Sequence, residues 1–394
     1  MINFAVVGMG NYGAVHLDAA RKVADAGLAR FAAAADVRLD AFPDVVAELQ
    51  ARGVACYDGL ETLLDAHPEL DLVNLPLPIQ LHKPLTVACL ERGLNVLVEK
   101  PPAPTLAEAE AMAAAARRTG KLCGVGFQFS TSPLLRAIRG LLAAGKLGEI
   151  TALHTMSLGK RYDNYYARAG WAGKIRVNGV IVRDGTLNNP YAHMAQLLLT
   201  VAADAAGAPV RPVSVQSELF AGHDIETEDT CALRATLSSG PTLHFVSSVC
   251  THLGFSQHFR IEGTRGVITY DSGRDPKARV DYTDGTGESL PNINDDTGDG
   301  TSVGVFRNMI AALEGREPLA CPIDATLAFA DLVEQTFAGD RVIHLHGTPH
   351  VMREELVDHG APEVATYLAG IEEYARQAYA QGRLYSEVGA AWAK

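Results

Sequence analysis

The sequence predicts an α/β protein with an N-terminal doubly wound parallel sheet and a C-terminal α+β domain containing a broad, largely antiparallel sheet. Two observations predict this class. Apolar runs alternate with helical segments up to about residue 127, whereas from Ile150 onward strand-like runs follow one another. Alternation is typical of parallel sheets, and consecutive strands are typical of antiparallel ones. We therefore expect two domains, at 1–127 and 128–394.

The elements of the first half follow from local patterns. Thr105-Leu106-Ala107-Glu108 forms a capping box after Pro104, and Gly120 ends the helix that follows it. Helices are also predicted at 42–51 and 83–91. Short apolar runs predict the strands of the parallel sheet, at 1–7, 31–35, 70–75, 96–98 and 123–127.

In the second half, alternating stretches such as Thr242-Leu243-His244-Phe245-Val246 predict strands with one solvated face. The predicted strands lie around 150–159, 212–220, 229–238, 242–251, 256–262 and 266–270. Helices are expected at 132–144, 303–313, 325–337 and 362–381, and the Asp/Asn/Gly-rich stretch 292–300 predicts a loop.

A glycine motif directly follows the first strand. Gly8-Met9-Gly10-Asn11-Tyr12-Gly13 leads into a helix, and the next strand ends at Asp36. The order of strand, glycine turn, helix, strand and acid is typical of dinucleotide binding, with phosphates at the helix N-terminus. Asp36 suits the ribose hydroxyls of NAD and would repel a 2′-phosphate. Arg38 could neutralise that phosphate, so NADP stays open.

Glu99-Lys100-Pro101 follows the buried strand 96–98. Ligands of open α/β sheets bind outside the carboxyl ends of the strands. Lys100 is therefore expected where the chemistry of a bound nicotinamide takes place.

Composition narrows the function classes. The chain has 394 residues, 20% of them charged, and a net charge of −12, which disfavours nucleic acid as a partner. Six dispersed cysteines without a Cys-x-x-Cys motif, and histidines without ligand-like spacing, predict neither structural disulfides nor a metal site. The first strand begins without a basic leader, and no stretch is apolar enough to span a membrane. A reducing cytoplasm is the simplest setting.

Four stretches resemble the Gfo/Idh/MocA family of NAD(P)-dependent oxidoreductases: the glycine motif, Leu77-Pro78-Ile79-Gln80-Leu81-His82, Glu99-Lys100-Pro101, and 178–193. The resemblance implies a sugar, sugar derivative or polyol as substrate. It implies that Lys100 contacts the nicotinamide ribose and the substrate hydroxyl, and that His193 faces the hydride-transfer site. The expected cofactor contacts are Gly8, Gly10, Asn11, Tyr12, Gly13, Asp36, Arg38, Leu77, Pro78, His82, Glu99, Lys100 and Gln128.

Asn189-Pro190-Tyr191-Ala192-His193 departs from the Asp-x-x-x-His pattern of many family dehydrogenases. An amide cannot act as a base, so Asn189 could only orient substrate or cap the helix. Spacing i, i+4 would place Asn189 and His193 on one helical face. We expect Lys100 to hold the hydroxyl and His193 to accept or relay its proton, because histidine titrates near neutral pH. A core histidine is the alternative interpretation of His193.

Cations and aromatic residues cluster between residues 160 and 183 in an otherwise acidic chain. This predicts either a sugar pocket or a surface loop or subunit contact, since all three use these residue types. Asp184 is either a turn residue or a substrate contact. The expected substrate contacts are Lys100, Arg161, Tyr162, Tyr165, Trp171, Asp184, Asn189 and His193.

Three functions remain open at this stage. The first is a dehydrogenase that releases NADH. The second is a redox-neutral enzyme that retains NAD, oxidises a hydroxyl transiently, permits elimination or glycoside cleavage, and then returns the hydride. The third is a non-catalytic NAD-binding regulatory protein. We also expect a homo-oligomer, dimer or tetramer, because an apolar outer face of the second sheet would need cover.

Overall fold

The computed structural model describes residues 1–273, 276–339, 341–358 and 361–394. The chain divides into two compact units. The first comprises Met1–Pro133 and Ile293–Leu327, and the second comprises Leu134–Asn292 and Ala328–Lys394. Among the described residues, no helix has the length and apolar character needed to cross a membrane.

The secondary structure of the described residues comprises ten α-helices and nineteen strands. The helices are α1 Tyr12–Asp25, α2 Pro43–Ala51, α3 Leu60–Ala66, α4 His82–Glu91, α5 Leu106–Thr119, α6 Pro133–Ala143, α7 Ala192–Ala206, α8 Ser302–Leu313, α9 Leu327–Thr336 and α10 Ile371–Gln381. The strands are β1 Asn3–Val7, β2 Arg30–Ala35, β3 Ala55–Tyr57, β4 Leu72–Leu75, β5 Asn95–Val98, β6 Cys123–Val125, β7 Ile150–Leu158, β8 Arg176–Val177, β9 Val180–Ile181, β10 Pro212–Ala221, β11 Thr230–Leu237, β12 Thr242–Ser248, β13 Ser256–Gly263, β14 Gly266–Asp271, β15 Lys277–Tyr282, β16 Gly287–Leu290, β17 Val342–His344, β18 Val351–Asp358 and β19 Ala361–Leu368.

The first unit contains a parallel sheet in the order β3-β2-β1-β4-β5-β6. This is the doubly wound dinucleotide-binding order, and it confirms the predicted class of the N-terminal half. Its strands are short and almost wholly buried, as in β1 and β4, because helices cover both faces of such sheets. The Thr105 hydroxyl caps α5 by accepting from the N–H of Glu108, as the capping box predicts.

Helix α8 belongs to the first unit although it lies far along the chain, so the compact units differ from the continuous domain predicted at 128–394. The physical reason is apolar packing. Phe306 packs edge-on against Phe4 of β1, with ring centroids 5.7 Å apart, and Met309 and Ile310 join the same buried cluster. Burial of such side chains is favourable by about 1.5–3 kcal/mol each.

The second unit contains a mixed sheet in the order β16-β15-β14-β13-β7-β12-β11-β10-β17. Its pairs are antiparallel except β12 with β7 and β10 with β17, which are parallel. The predicted class is confirmed: a parallel sheet followed by a broad, mostly antiparallel one.

Two parts of the second half differ from the sequence prediction. The segment predicted as a helix at 362–381 is strand β19 followed by helix α10, because Gly370 adopts a positive φ of 72° between them. Strands β15 to β18 have no counterpart in the prediction. Strands β16 and β18 are largely polar and exposed and β17 has only three residues, so apolar patterning does not mark them, whereas β15 was missed although it buries Ala278 and Val280 in alternation.

The C-terminal segment covers an apolar part of the second sheet. Ile371, Ala375 and Trp392 pack in one buried cluster with Met156 of β7 and Val246 of β12. This part of the sheet was expected to need a second subunit to cover it, but the C-terminal segment of the same unit covers it instead. Oligomerisation itself stays a prediction.

A pair of stacked histidines lies on the same sheet. His154 of β7 and His244 of β12 are register partners with ring centroids 4.7 Å apart, flanked by Arg260 on β13 and Arg234 on β11. In the described part of the chain, neither ring nitrogen of His154 has a hydrogen-bond partner, although Oε1 of Glu262 lies 3.5 Å from its Nε2. Burial and the neighbouring guanidiniums lower the pKa of His154 to about 3 and that of His244 to about 4.

This pair should make the protein sensitive to acid. Both pKa values lie below the usual value of about 6.5, so the unfolded chain binds more protons. The contribution of this pair to the free energy of unfolding is therefore fully present above pH 6.5. It falls as the pH drops towards 4, by an amount on the order of a few kcal/mol. We expect a His154→Phe/His244→Phe variant, which keeps two stacked rings, to lose less Tm between pH 7 and pH 4.5 than the wild type. Thermal unfolding across this range measures it.

The matched control is His346→Phe, because His346 is exposed. An equal loss of Tm in the double variant and the wild type would remove the histidine pair as the cause.

Candidate active site

The glycine turn leaves no room for side chains. A Cβ on Gly13 would lie 2.5 Å from the carbonyl oxygen of Gly8, and one on Gly8, whose φ is +111°, would lie 3.0 Å from the carbonyl oxygen of Pro76. The turn closes through the N–H of Gly13, which donates to Gly10 at 2.8 Å. No side chain caps α1, and its first turn carries no acid. Such a helix N-terminus suits a pyrophosphate.

Asp36 follows β2 and is bonded to the same turn. Its Oδ2 accepts from the N–H of Met9 and its Oδ1 from the N–H of Arg38, both at 2.8 Å. An Arg38 Nη lies 4.0 Å from the position that a Gly10 Cβ would take. The carboxylate and the guanidinium predicted to face the ribose thus both lie beside the glycine turn.

Asn11 and Tyr12 form the start of α1. Asn11 adopts a positive φ of 51° at the N-cap, a conformation that asparagine tolerates better than most residues. The Tyr12 hydroxyl accepts from the side-chain amide of Gln128, which also donates to the Ser302 hydroxyl at 2.9 Å. Gln128 is therefore tied to the helix that follows the glycine turn. Ser302, at the start of α8, is a member of this group that sequence reasoning missed.

Glu99 is buried and engaged in structural contacts. Its Oε2 accepts from the N–H of Lys100 at 2.7 Å, and its Oε1 lies 3.1 Å from Nε2 of His16 on α1. A Cβ on Gly126 would lie 2.6 Å from Oε1. Glu99 thus links the end of β5 to α1 and orients the backbone of Lys100, and the Lys100–Pro101 peptide bond is cis.

His82 joins the turns after β4 and β5. Its Nε2 lies 2.8 Å from the carbonyl oxygen of Leu77, and its Nδ1 lies 2.8 Å from that of Pro101. Burial lowers the pKa of His82. Both ring nitrogens are occupied, so His82 fits a structural or contact role and not that of a base.

The carboxyl ends of β1, β4 and β5 therefore form one connected edge. The Leu77 side chain lies 3.1 Å from the position that a Gly8 Cβ would take, while Pro78 leads into the short helix Ile79–Leu81. His82 connects this turn to the one holding Lys100. The cofactor residues expected from the sequence thus lie along the edge where doubly wound sheets bind ligands.

In the second unit, two arginines flank one tyrosine. The guanidinium carbons of Arg161 and Arg168 lie 3.8 and 3.6 Å from the ring centroid of Tyr165, and Arg168 also lies 4.8 Å from the ring of Trp171. Two guanidiniums this close cannot share one face, so they occupy both. The faces of Tyr165 are consequently taken by cations, so a substrate that stacked on this ring would have to displace one of them.

A cavity of about 410 Å³ adjoins this cluster. It is lined by Lys160, Arg161, Tyr162, Asn164, Tyr165, Arg168, Asp358 and Glu363. Cations, carboxylates and hydroxyls converge here, which suits a polar ligand with several hydrogen-bonding groups.

Asp184 and Asn189 form a hydrogen-bonded pair. The Asn189 amide donates to Oδ1 of Asp184 at 2.6 Å, and the N–H of Gly173 donates to Oδ2 at 2.9 Å. Nη2 of Arg168 lies 3.7 Å from the same carboxylate. Burial raises the pKa of Asp184. Asp184 is thus more than a turn residue, because it connects Asn189 with the arginine cluster.

Helix α7 begins at Ala192 with Tyr191 as its N-cap, so the expected N-cap at Asn189 is wrong. The reason is local. The N–H groups of Asn189 and Tyr191 donate to the carbonyls of Gly185 and Thr186, which keeps the preceding residues in turns. His193 is half-buried in the first turn of α7.

Glu228, a second residue that sequence reasoning missed, is almost fully buried against the 185–187 turn. The adjacent carboxylates Glu228 and Asp229, directly before an apolar strand, were a sequence signal for it. Among the described residues, Asp229 forms a buried group with His223 and Cys250. One carboxylate oxygen, one ring nitrogen and the thiol sulfur of this group lie within 4.8 Å of one another. Asp229 Oδ2 already accepts from the His223 ring at 2.8 Å and from two backbone N–H groups, as a structural pair does.

Two family models match this chain. The model described as an oxidoreductase family with an NAD-binding Rossmann fold matches residues 2–127, and the model of the Gfo/Idh/MocA C-terminal domain matches residues 135–269. Together they span both halves of the fold described above.

Curated relatives share part of the chain. A dTDP-3,4-didehydro-2,6-dideoxy-alpha-D-glucose 3-reductase of Streptomyces violaceoruber is 26% identical over 60% of this chain and 66% of its own length. An inositol 2-dehydrogenase of Streptomyces avermitilis is 34% identical over 39% of this chain and 44% of its own length. These matches span less than two thirds of each relative.

Solved structures share the fold over most of the chain. An NAD-binding oxidoreductase from Klebsiella pneumoniae has a TM-score of 0.71 at 20% identity, covering 86% of this chain and 97% of that one. The WlbA dehydrogenase from Bordetella pertussis, solved with NADH and UDP-GlcNAcA, has a TM-score of 0.69 at 21% identity with the same coverage. At these identities the likeness shows the fold alone. With both family models matched and the predicted dinucleotide-binding sheet confirmed, the chain belongs to the Gfo/Idh/MocA family of oxidoreductases with an NAD-binding Rossmann domain.

Proposed function

We propose that this protein transfers a hydride between NAD and a secondary hydroxyl of a sugar, sugar derivative or polyol. The observation that carries the proposal is the position of Lys100. It follows β5 on the same connected edge as the glycine turn, held there by Glu99 and by the bridge through His82. Because ligands of doubly wound sheets bind at this edge, we infer that the Lys100 amine contacts the reactive part of a dinucleotide bound there.

The residues of the glycine turn fit NAD. A side chain on Gly13 would collide with the backbone of the glycine turn, so the turn stays open for the phosphates. The uncapped N-terminus of α1 offers N–H groups to them. Asp36 favours NAD over NADP, because its carboxylate would repel a 2′-phosphate. When bound, the nicotinamide accepts or returns the hydride.

The protein's own residues manage the proton. Oxidation of a secondary alcohol removes a proton from oxygen as the hydride leaves carbon. We assign the hydroxyl contact to Nζ of Lys100 and proton transfer to the His193 ring. Asn189 orients substrate, because its amide cannot accept the proton and is already bonded to Asp184.

Support for the substrate class comes from the second unit and from the relatives. Arg161 and Arg168 line a polar cavity, and the buried Asp184 lies 3.7 Å from the Arg168 guanidinium. The matching relatives include an inositol 2-dehydrogenase and a 1,5-anhydro-D-fructose reductase. Hydroxyl-rich substrates use such charged and amide groups as hydrogen-bond partners.

The test begins with the purified protein. We expect acid-released cofactor analysis and dialysis to show reversible NAD binding, tighter than NADP binding, and a panel of sugars and polyols to yield NADH at 340 nm. The Lys100→Met variant, purified in parallel, controls for contaminating dehydrogenases.

Other outcomes would overturn this proposal. Turnover without net NADH, by a protein that releases NAD only on denaturation, would instead indicate a redox-neutral enzyme. Reversible NAD binding without turnover of any compound in the panel would point to a non-catalytic role.

A further inference from the structure

Glu228 carries a buried carboxyl group. It lies directly before β11, is 1% exposed, and forms no ion pair within the described ranges of the chain. Its Oε1 accepts from the N–H of Leu187 and from the Thr186 hydroxyl, each at 3.2 Å, and its Oε2 accepts from the Thr227 hydroxyl at 2.7 Å. An unpaired buried charge is costly, so its retention in this place calls for a reason.

The backbone around Glu228 is shaped to receive the carboxyl group. A Cβ on Gly185 would lie 1.8 Å from Oε2 and 2.0 Å from Oε1. Any other residue at position 185 would displace the carboxyl group or the turn. Three consecutive residues, 185–187, therefore contact Glu228.

These contacts continue to the candidate site. The carbonyls of Gly185 and Thr186 accept from the N–H groups of Asn189 and Tyr191, directly before α7 and His193. The Thr186 hydroxyl also accepts from Ser247 of β12 at 2.8 Å. We call residues 184–193 the site segment. Its turn is held between Glu228 on one side and β12 on the other.

The contacts depend on the charge of Glu228. An ionised carboxylate accepts from all three donors, whereas a protonated one presents an O–H in place of an acceptor. Burial raises the pKa of Glu228 to about 7, so both forms are populated at working pH.

Other ionisable groups lie near Glu228 and the site segment, and the Glu228→Gln variant separates their titration from that of Glu228. Asp229 lies directly before β11 and Cys231 lies on it; His223 holds the pKa of Asp229 low, and burial raises that of Cys231 well above its usual range. The site segment carries Asp184, His193 and, directly before it, Arg183; Asp184 is held by Gly173, Asn189 and Arg168. The facing residue of β12, Ser247, is neutral.

We propose that Glu228 is a positioning residue whose ionisation sets the conformation of the site segment, with the ionised form presenting Asn189 and His193 for the reaction. The catalytic consequence rests on the proposed function, whereas the conformational part does not.

Hydrogen–deuterium exchange of the peptide covering residues 184–193 tests the conformational part without a substrate. After correction for intrinsic exchange, we expect the wild-type segment to be more protected at pH 8 than at pH 6. In Glu228→Gln, protection should be low and independent of pH. Glu226→Gln is the matched control, because Glu226 is exposed and pairs with Lys174; it should behave like the wild type.

Kinetics test the catalytic part once a substrate is known. We expect kcat of the wild type to rise with pH through neutrality, and Glu228→Gln to lose the part of this rise that Glu228 supplies while keeping any part that the proposed base His193 supplies. At pH 8, kcat of the variant should be roughly tenfold lower because the site is misplaced. NAD affinity should stay unchanged, since Glu228 lies outside the first unit.

A wild-type segment whose protection does not change between pH 6 and pH 8 would overturn the proposal, even if Glu228→Gln failed to fold. A folded Glu228→Gln variant whose site segment still gains protection between pH 6 and pH 8 would also overturn it. If the pH-dependent protection of the site segment is lost in Glu228→Gln but the wild type oxidises no sugar, the proposed function fails while the positioning role of Glu228 stands.

Discussion

Replacement of Lys100 by alanine is expected to lower kcat by roughly 100-fold or more while NAD binding changes only a few-fold. Lys100 is proposed to contact the reacting hydroxyl, and loss of an interaction made mainly in the transition state lowers turnover more than cofactor affinity. The phosphates and the ribose are instead expected to contact the glycine turn and Asp36. Steady-state NADH formation and an NAD titration measure the two effects separately.

Two further variants sharpen this experiment. Lys100→Met keeps the aliphatic stem but lacks the charge, so a deficit equal to that of alanine assigns the effect to the amine. Lys22→Ala removes an exposed lysine of α1 that pairs with Asp18, and it should turn over like the wild type. Near-normal turnover by Lys100→Ala would eliminate this lysine from the reaction.

Gly13→Ala is expected to weaken NAD binding by roughly 100-fold or more, which corresponds to about 2.7 kcal/mol. The added Cβ would lie 2.5 Å from the carbonyl oxygen of Gly8 and 2.9 Å from its carbonyl carbon. Both are backbone atoms, so relief requires the turn to open and α1 to move away from β1. Isothermal titration with NAD measures the loss, and thermal unfolding reports the accompanying change in Tm.

Gly140→Ala is the matched control for a glycine-to-alanine change. Gly140 lies in α6 with nothing within 4 Å of the added Cβ, so alanine should leave NAD binding intact and slightly stabilise the helix. If Gly13→Ala bound NAD as tightly as Gly140→Ala, the glycine turn would not be the cofactor cradle.

Some candidate residues were predictable because their roles depend on short stretches of chain. The glycine motif, the acid that ends β2 and the lysine after β5 each occupy the end of a strand whose apolar pattern marks it. Parallel strands bring these ends to one edge. The sequence therefore predicted the neighbours Gly13, Asp36 and Lys100 as one group. Their roles in binding and catalysis stay predictions.

Other residues were not predictable because their partners lie far along the chain. Glu228 meets the 185–187 turn across about 40 residues, and Gln128 meets Ser302 across 174. The position of Arg161 and Arg168 against the ring of Tyr165 was likewise not predictable, and the role of Tyr165 as a substrate contact stays a prediction. The periodicity of apolar residues in the sequence does not indicate which buried polar groups will form hydrogen bonds with one another.

By itself, the sequence determined the α/β class, most of the strands and helices of the first sheet's domain, and the family, because strand length, helix caps and glycine turns act within a few residues. Only the tertiary structure decided that α8 packs on the first unit, that the C-terminal segment covers part of the second sheet, and that Asp184 holds Asn189. Which apolar surfaces pack together and which buried polar groups form hydrogen bonds depends on the packing of the whole fold.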